Sequence, residues 1–270
     1  MAYSAYVSSA GHASWPAIST LPAESRIPTS HWLILLAVGF LFGSIPWGLI
    51  IARAKGVDIR KVGSGNIGAT NVGRVLGKKF GLLCFFLDML KGLVPVLIAG
   101  QVSGLLGTVT IEPVQAVWWL AVMVSPVLGH VFNPWLAFKG GKGVATSLGA
   151  LLGVFPVLTV PGGLAFLVWV VMAVKWRYVS LASLGAAATL PFFIAAYFAF
   201  KLPRHDSGLP AMDTYLKYAG PFLVVGVILS VLVFITHRSN IGRLRSGTEN
   251  KIGQRKQAAA AAAQATSGQS

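Results

Sequence analysis

The sequence predicts an all-α integral membrane protein with seven transmembrane helices, its N-terminus outside and its C-terminus cytoplasmic. Three observations predict it. Of 270 residues, 55% are hydrophobic and only 11% are charged, too apolar for the mixed, solvated surface of a soluble domain. The apolar residues fall in runs near the ~20 residues that cross a bilayer. The basic residues, 22 against 7 acidic, gather in alternate segments between those runs. Such an excess suits a chain that lies against anionic headgroups or handles anionic substrates. Nucleic acid binding would produce the same excess, and the hydropathy argues for the membrane instead.

Taken in order, residues 1–30 hold Ser, Ala, Pro and His without periodicity and lack the basic start and long apolar run of a cleavable signal. They read as a mobile N-terminal tail. Five clear apolar runs follow, at about 31–52, 80–100, 116–137, 178–200 and 218–236. The stretch from Gly143 to Val174 is the difficult one: 32 apolar residues that form one overlong helix or two short ones, turning near Phe155-Pro156 and Val160-Pro161-Gly162-Gly163. Charge decides between them. With two helices, seven spans in all, the inward segments hold 17 Lys and Arg and the outward ones four, with Lys91 inside a span. With one helix the C-terminal half inverts, leaving 12 inside and nine outside. The two-helix reading gives a membrane domain over 31–253, followed by an Ala-rich tail, 254–270, with nothing to pack on and expected to be disordered. No internal repeat is evident, which gives no support to a transporter of two related halves. The single cysteine, Cys84, allows no disulfide framework or cysteine metal site within the chain, and reads as a small buried hydrophobe. No metal and no cofactor are expected.

On this topology three polar clusters emerge on the cytoplasmic side. The first runs from Arg60 to Arg74 and contains Ser64, Asn66, Thr70 and Asn71 among glycines. Glycines permit tight turns, and Ser, Asn and Thr offer hydrogen bonds beside arginines, so the loop can cradle a phosphate. Its Gly63, Gly65 and Gly68 fit a formal G-x-G-x-x-G, but between two membrane spans rather than between a strand and a helix. A turn-rich solvated loop is the bland alternative. The second cluster holds Gly129-His130, then Lys139-Gly140-Gly141-Lys142-Gly143 opening into the next span. Helix-start N–H groups and two lysines make an anion site, although lysines at a membrane border also snorkel to headgroups. It is not a P-loop, since Gly143 stands where a magnesium-binding Ser or Thr would follow Lys142. In the third cluster, His237, Asn240 and Arg243 recur at i+3 on one helical face, with Glu249 the only acid nearby. A basic juxtamembrane stop explains its arginines but not its His, Asn and Glu. Asp88 and Lys91, at i,i+3 within the second span, read as a structural pair, because an unpaired charge there costs ~3 kcal/mol or more.

Together the three clusters resemble the signature motifs of the acyl-phosphate:glycerol-3-phosphate acyltransferase family, the PlsY type. Ser64-Gly65-Asn66 with Gly68-Ala69-Thr70-Asn71 looks like its first motif, Gly129-His130 with Phe138 to Thr146 its second, and His237 to Lys251 its third; Leu87 to Gly92 looks like a further family feature. The chain departs from the pattern in its tails and in a long apolar extension around the fourth and fifth spans. The resemblance implies a bacterial inner-membrane enzyme with its active site at the cytoplasmic border. It implies acyl phosphate as donor, glycerol 3-phosphate as acceptor and 1-acyl-glycerol 3-phosphate as product. Membrane lipid and a functional coupling to the enzyme that makes acyl phosphate are the further partners implied.

Acyl phosphate is already activated, so the enzyme's task is to bring two anions together and stabilise charge at the carbonyl oxygen. The expected catalytic residues are Ser64, His237 and Asn240, with His237 and Asn240 orienting groups and Ser64 and Asn66 contacting phosphates. Thr70, Asn71, Arg74, His130, Lys139, Gly140, Gly141, Lys142, Gly143, Arg243 and Glu249 complete the expected substrate site. Gly140-Gly141 is expected to let backbone approach glycerol 3-phosphate, and Glu249 to organise arginines rather than act as base. No acyl-enzyme is expected. A phosphate-ester transporter would place polar groups deep in several helices, and a lipid-binding scaffold would not need the Ser, Asn and His positions.

Overall fold

The computed structural model describes residues 27–203 and 210–254; residues 1–26 of the N-terminal tail expected over 1–30, and most of the C-terminal tail, lie outside the described residues. No strand occurs among them. The first apolar run is two helices, α1 (Thr29–Gly43) and α2 (Trp47–Arg53). They part at Ser44-Ile45-Pro46, where Pro46 has no N–H to continue the ladder and the Ser44 hydroxyl turns back to the Leu41 carbonyl at 2.7 Å. A loop then leads to short α3 (Ala69–Leu76), which precedes α4 (Lys78–Val102). Next come α5 (Pro113–Val131), a 3-10 turn at Pro134–Leu136, α6 (Val144–Gly153) and α7 (Thr159–Trp176). The chain ends with α8 (Val179–Lys201), α9 (Met212–Thr236) and α10 (Arg238–Arg245). Among the described residues, six helical segments are long and apolar enough to cross a membrane, counting α1 with α2 as one.

The 143–174 stretch is divided, as its charge pattern predicts, but at one place only. The turn is 154–158, with a cis Phe155-Pro156 bond. Val160 to Gly163, expected to turn as well, is helical: Pro161 falls in the first turn of α7, where its missing N–H removes no intrahelical bond. With ten residues, α6 rises only about 15 Å. It lies along α4 and runs parallel to it, with Thr146 against Gly92, Gly149 against Met89 and Gly153 against Val96. Beyond both helices, Gly107 N–H donates to the Phe155 carbonyl at 3.0 Å. Thus α6 begins midway along α4 and ends against Val96, before α4 itself ends at Val102, and the chain ahead of α6 is drawn into the bundle: Gly141 and Gly143 are buried.

Small residues allow the closest approaches, as expected where lipid supplies no hydrophobic drive between helices. Gly43 lies on the Pro126 backbone, and Gly129 on Phe40, joining α1 to α5. Trp119 fills the centre of the main core, its Nε1–H donating to the Val96 carbonyl at 3.0 Å, with Gly100 making room for the ring. A second core of Leu49, Ile51, Ile59, Ile67, Val72 and Cys84 supports the loop ahead of α3. Cys84 is buried, as read.

Candidate active site

The first cluster is organised by Asn71, which is buried in α3. Its Oδ1 accepts the Ser64 N–H at 2.8 Å, and its Nδ2 faces the carbonyls of Asn66, Val62 and Ile59 at 2.9, 3.1 and 3.3 Å. One amide therefore closes the loop, and its polar atoms are already engaged. Asn71, expected as a substrate contact, is the residue that shapes the loop for others. Gly63 has φ +65 and sits where a Cβ would strike Asn71 Oδ1, so both its backbone and its space require glycine. Asn66 Oδ1 accepts the Gly68 N–H at 2.9 Å, leading into α3. The side chains of Ser64 and Thr70 are exposed, and Arg74 is half-buried.

The second cluster folds back on the end of α5. Gly140 N–H donates to the Val131 carbonyl at 3.0 Å and Gly141 N–H to the His130 carbonyl at 3.1 Å. Those bonds satisfy two C-terminal carbonyls that α5 would otherwise leave unpaired. A Cβ on Gly140 would overlap the His130 carbonyl, and one on Gly141 would overlap His130 Nε2. The two glycines thus allow a close approach to α5, and their N–H groups are engaged there. His130 is buried beneath them. Gly143, with φ +80, turns the chain into α6. The two lysines separate: Lys139 is exposed, whereas Lys142 turns towards the third cluster.

There Lys142 Nζ donates to Asn240 Oδ1, and Asn240 Nδ2 donates to Glu249 Oε1 at 2.6 Å. Arg243 Nε meets Glu249 Oε2 at 2.6 Å, and the Ser180 hydroxyl donates to Oε1 at 2.8 Å. Thr236 Oγ1 also donates to the Lys142 carbonyl at 3.3 Å. Residues from α8 and α10 so meet at one carboxylate, and Lys142 joins it through Asn240. Ser180 and Thr236 were not singled out by sequence: a lone hydroxyl at either end of an apolar helix carries no signal until the distant Glu249 or Lys142 is placed beside it. The C-terminal segment is tied down independently, since Ile252 N–H donates to the Arg177 carbonyl at 2.7 Å and Arg177 Nη2 returns a bond to the Ile252 carbonyl at 2.6 Å.

The charges are tuned by this packing. Burial lowers the Lys142 ammonium; Glu249 opposes that effect, the positive fields of Arg243 and Arg74 add to it, and the result is about 8. The influence of Arg74 brings the first cluster electrostatically to the other two. Burial and then the Lys142 charge hold the His237 imidazole down to about 4, against the Val233 carbonyl and Glu249. His237 is therefore neutral near pH 7. Its Nδ1 lies 2.8 Å from the Val233 carbonyl oxygen, which places the ring proton there and leaves Nε2 as an acceptor. For Glu249, burial acts upward, but the bonds from Asn240, Ser180 and Arg243 outweigh it and keep the carboxylate ionised. Among the described residues, no group of three or more His, Cys, Asp or Glu is placed to hold a metal ion.

A bundle this apolar, with a cation-rich polar cluster at one end, defines a multi-pass integral membrane protein. The family described as glycerol-3-phosphate acyltransferase matches residues 33–247, and the chain belongs to it. It is 46% identical over 221 residues to the glycerol-3-phosphate acyltransferase of Geobacter sulfurreducens, covering 82% of this chain and 97% of that one. With the Geotalea daltonii protein of the same name it shares 44% over 218 residues, covering 81% and 96%. The solved structure of PlsY (YgiH), an integral membrane glycerol 3-phosphate acyltransferase in its glycerol 3-phosphate form, superposes with a TM-score of 0.66 at 38% identity, covering 84% of this chain and 98% of that one. Its lysophosphatidic acid form gives 0.64.

Proposed function

We propose that this chain transfers the acyl group of acyl phosphate to glycerol 3-phosphate, releasing phosphate and 1-acyl-glycerol 3-phosphate at an early step of phospholipid synthesis. The observation that carries the reading is the meeting of Lys142, Asn240, Arg243 and Glu249, which fixes two cations at one end of an apolar bundle. Lys142, with Arg74 and Arg243, neutralises the acceptor's phosphate, while Ser64 and Asn66 contact phosphate from the first loop. Asn240, engaged on both sides of its amide, acts by aiming Lys142. The acceptor hydroxyl oxygen attacks the donor's carbonyl carbon, the bond from that carbon to the phosphate oxygen breaks, and the hydroxyl proton leaves on the departing phosphate. Neutral His237 orients the attacking hydroxyl through Nε2. No acyl-enzyme forms; a trapped acyl-serine would overturn this.

The topology follows from the same arrangement. The chain enters from outside, crosses seven times with α6 as the short crossing, and leaves its C-terminus in the cytoplasm of a bacterium, whose inner membrane it occupies. Support comes from α6 running from the site end to the loop after α4, and from the basic loops gathering at the site end. The donor, supplied by the enzyme that makes acyl phosphate, then meets the site at the cytoplasmic border. The deciding experiment compares palmitoyl phosphate with palmitoyl-CoA on the full chain in lipid, following lysophosphatidic acid and phosphate. Product from the phosphate alone is expected; product only from the thioester overturns the donor assignment.

A further inference from the structure

The buried charges of α4 have no part in that chemistry, and their neighbours show what they do. Asp88 Oδ1 and Lys91 Nζ lie 2.9 Å apart, both side chains almost wholly buried. The pair expected from the sequence is therefore present, but neither partner stops at the other. Lys91 Nζ also donates to the Ile45 carbonyl at 2.8 Å, in the break between α1 and α2 from which α2 leads to the first loop. Asp88 Oδ1 lies 3.7 Å from His130 Nδ1, on α5. The other side of that ring lies against Gly141, one residue before Lys142. One turn along α4 from Asp88, Gly92 receives the Thr146 carbonyl, at the start of α6. Positions 88, 91 and 92 share one helical face, so a single patch of α4 touches the approach to the first loop and the start of α6, and reaches Gly141 on the near side of Lys142 through the His130 ring.

We infer that Asp88 and Lys91 are positioning residues that hold the first phosphate loop and Lys142 in register, Lys91 through Ile45 and Asp88 through His130 and Gly141. Two charges inside an apolar bundle are costly, and apolar replacements of such pairs are commonly tolerated by the fold. Here the pair fixes two segments that come from different helices and that the acceptor needs at a set distance. A displacement of about 1 Å at such a site costs on the order of 100-fold in rate. The inference rests on the proposed contact between Lys142 and the acceptor's phosphate, and the experiment separates the two.

The test is a double-mutant cycle on the full chain in lipid, reading KM for glycerol 3-phosphate, kcat and thermal unfolding. Lys142→Met alone is expected to raise KM at least tenfold; an unchanged KM removes the site assignment and this inference with it. The paired variant Asp88→Asn/Lys91→Met, which leaves no unpaired charge, is expected to fold and to raise KM by about tenfold. Added to Lys142→Met, it is expected to raise KM by less than threefold more, because the group it positions is already gone. Wild-type kinetics in the paired variant, or effects that multiply in the combined one while Lys142→Met behaves as stated, would overturn the positioning role and leave the site reading intact. Asp88→Glu/Lys91→Arg, which keeps both charges, is expected to recover part of the lost KM; recovery of folding without KM would count against it.

Discussion

Two carboxylates hold cations at opposite ends of this bundle, in unlike ways. The Glu249 side chain is 8% exposed and meets Asn240, Ser180 and Arg243 at 2.6–2.8 Å. At the other end, Glu112 is 40% exposed; Lys217 and the Tyr218 hydroxyl approach it no closer than 3.4 and 3.5 Å. Both are formally ion pairs. The first is held by three partners on two helices, α8 and α10, with the carboxylate itself buried, so its geometry persists; the second is screened, and holding its long side chains costs entropy. A working charge is distinguished from a decorative one by the number of fixed partners it has.

The largest effect is expected at the site end, from His237→Gln. The substitution removes a neutral ring held at 2.8 Å from the Val233 carbonyl, whose free Nε2 orients the acceptor hydroxyl. Loss of a positioned group of this kind should lower kcat on the order of 100-fold or more. Glu249→Gln should cost less, about tenfold, since the neutral amide still accepts from Asn240 and Ser180 while weakening its hold on Arg243. Steady-state assays with both variants in the same lipid rank them. A larger loss in Glu249→Gln would make the carboxylate a participant rather than an organiser.

Gly141→Ala comes next. A Cβ would overlap His130 Nε2, so the ring or the backbone must move. Overpacking of this sort costs about 1–3 kcal/mol, and the displacement passes to Lys142. Both a lower unfolding temperature and a raised KM for glycerol 3-phosphate are expected. A raised KM with unaltered stability would favour direct approach of this glycine to the acceptor. Gly220→Ala in α9 is the control, because its Cβ would meet nothing within 4 Å.

The glycine shows where sequence stops being legible. Apolar runs, basic loops, the division of 143–174 and the Asp88–Lys91 pair are all local or additive signals, and each was readable. The three clusters were readable as polar islands in apolar chain. What each residue does inside them was not: Asn71 and Ser64 carry equal promise in the sequence, yet Asn71 is enclosed by three carbonyls and Ser64 is exposed. Likewise Val160 to Gly163 has the composition of a turn, but the first turn of a helix accepts Pro, and packing of Gly162 on Leu151 decides the matter. Roles that depend on which distant backbone arrives next to a residue have no local signature.

A smaller effect should appear in the pH profile. Lys142 is held at about 8, so its charge is present below that pH and is lost above it. If this ammonium neutralises the acceptor's phosphate, kcat/KM for glycerol 3-phosphate should fall as pH rises through 8, by roughly tenfold per unit beyond it. Bound phosphate favours the ammonium, so the fall in kcat should begin at higher pH than the fall in kcat/KM. Lys142→Arg, which keeps its charge throughout, should lower activity but abolish this limb. A limb that persists unchanged in the arginine variant would belong to another group.

The smallest effect completes the comparison. Glu112→Gln removes the carboxylate charge at the far end, where Lys217 keeps a second partner in the Tyr218 ring, 4.9 Å from its Nζ to the ring centroid. Neither kcat nor KM should change beyond error, and the unfolding temperature should match that of the parent at both low and high salt, because a screened, exposed pair contributes little to begin with. The same salt series applied to Glu249→Gln should retain its deficit, since the partners of that carboxylate are fixed by the fold rather than by the ionic atmosphere. Should Glu112→Gln instead lose activity, the loop after α4 would be coupled to the site through α6, the helix that joins those two ends. In that case burial and partner number would no longer separate the two ends of the molecule.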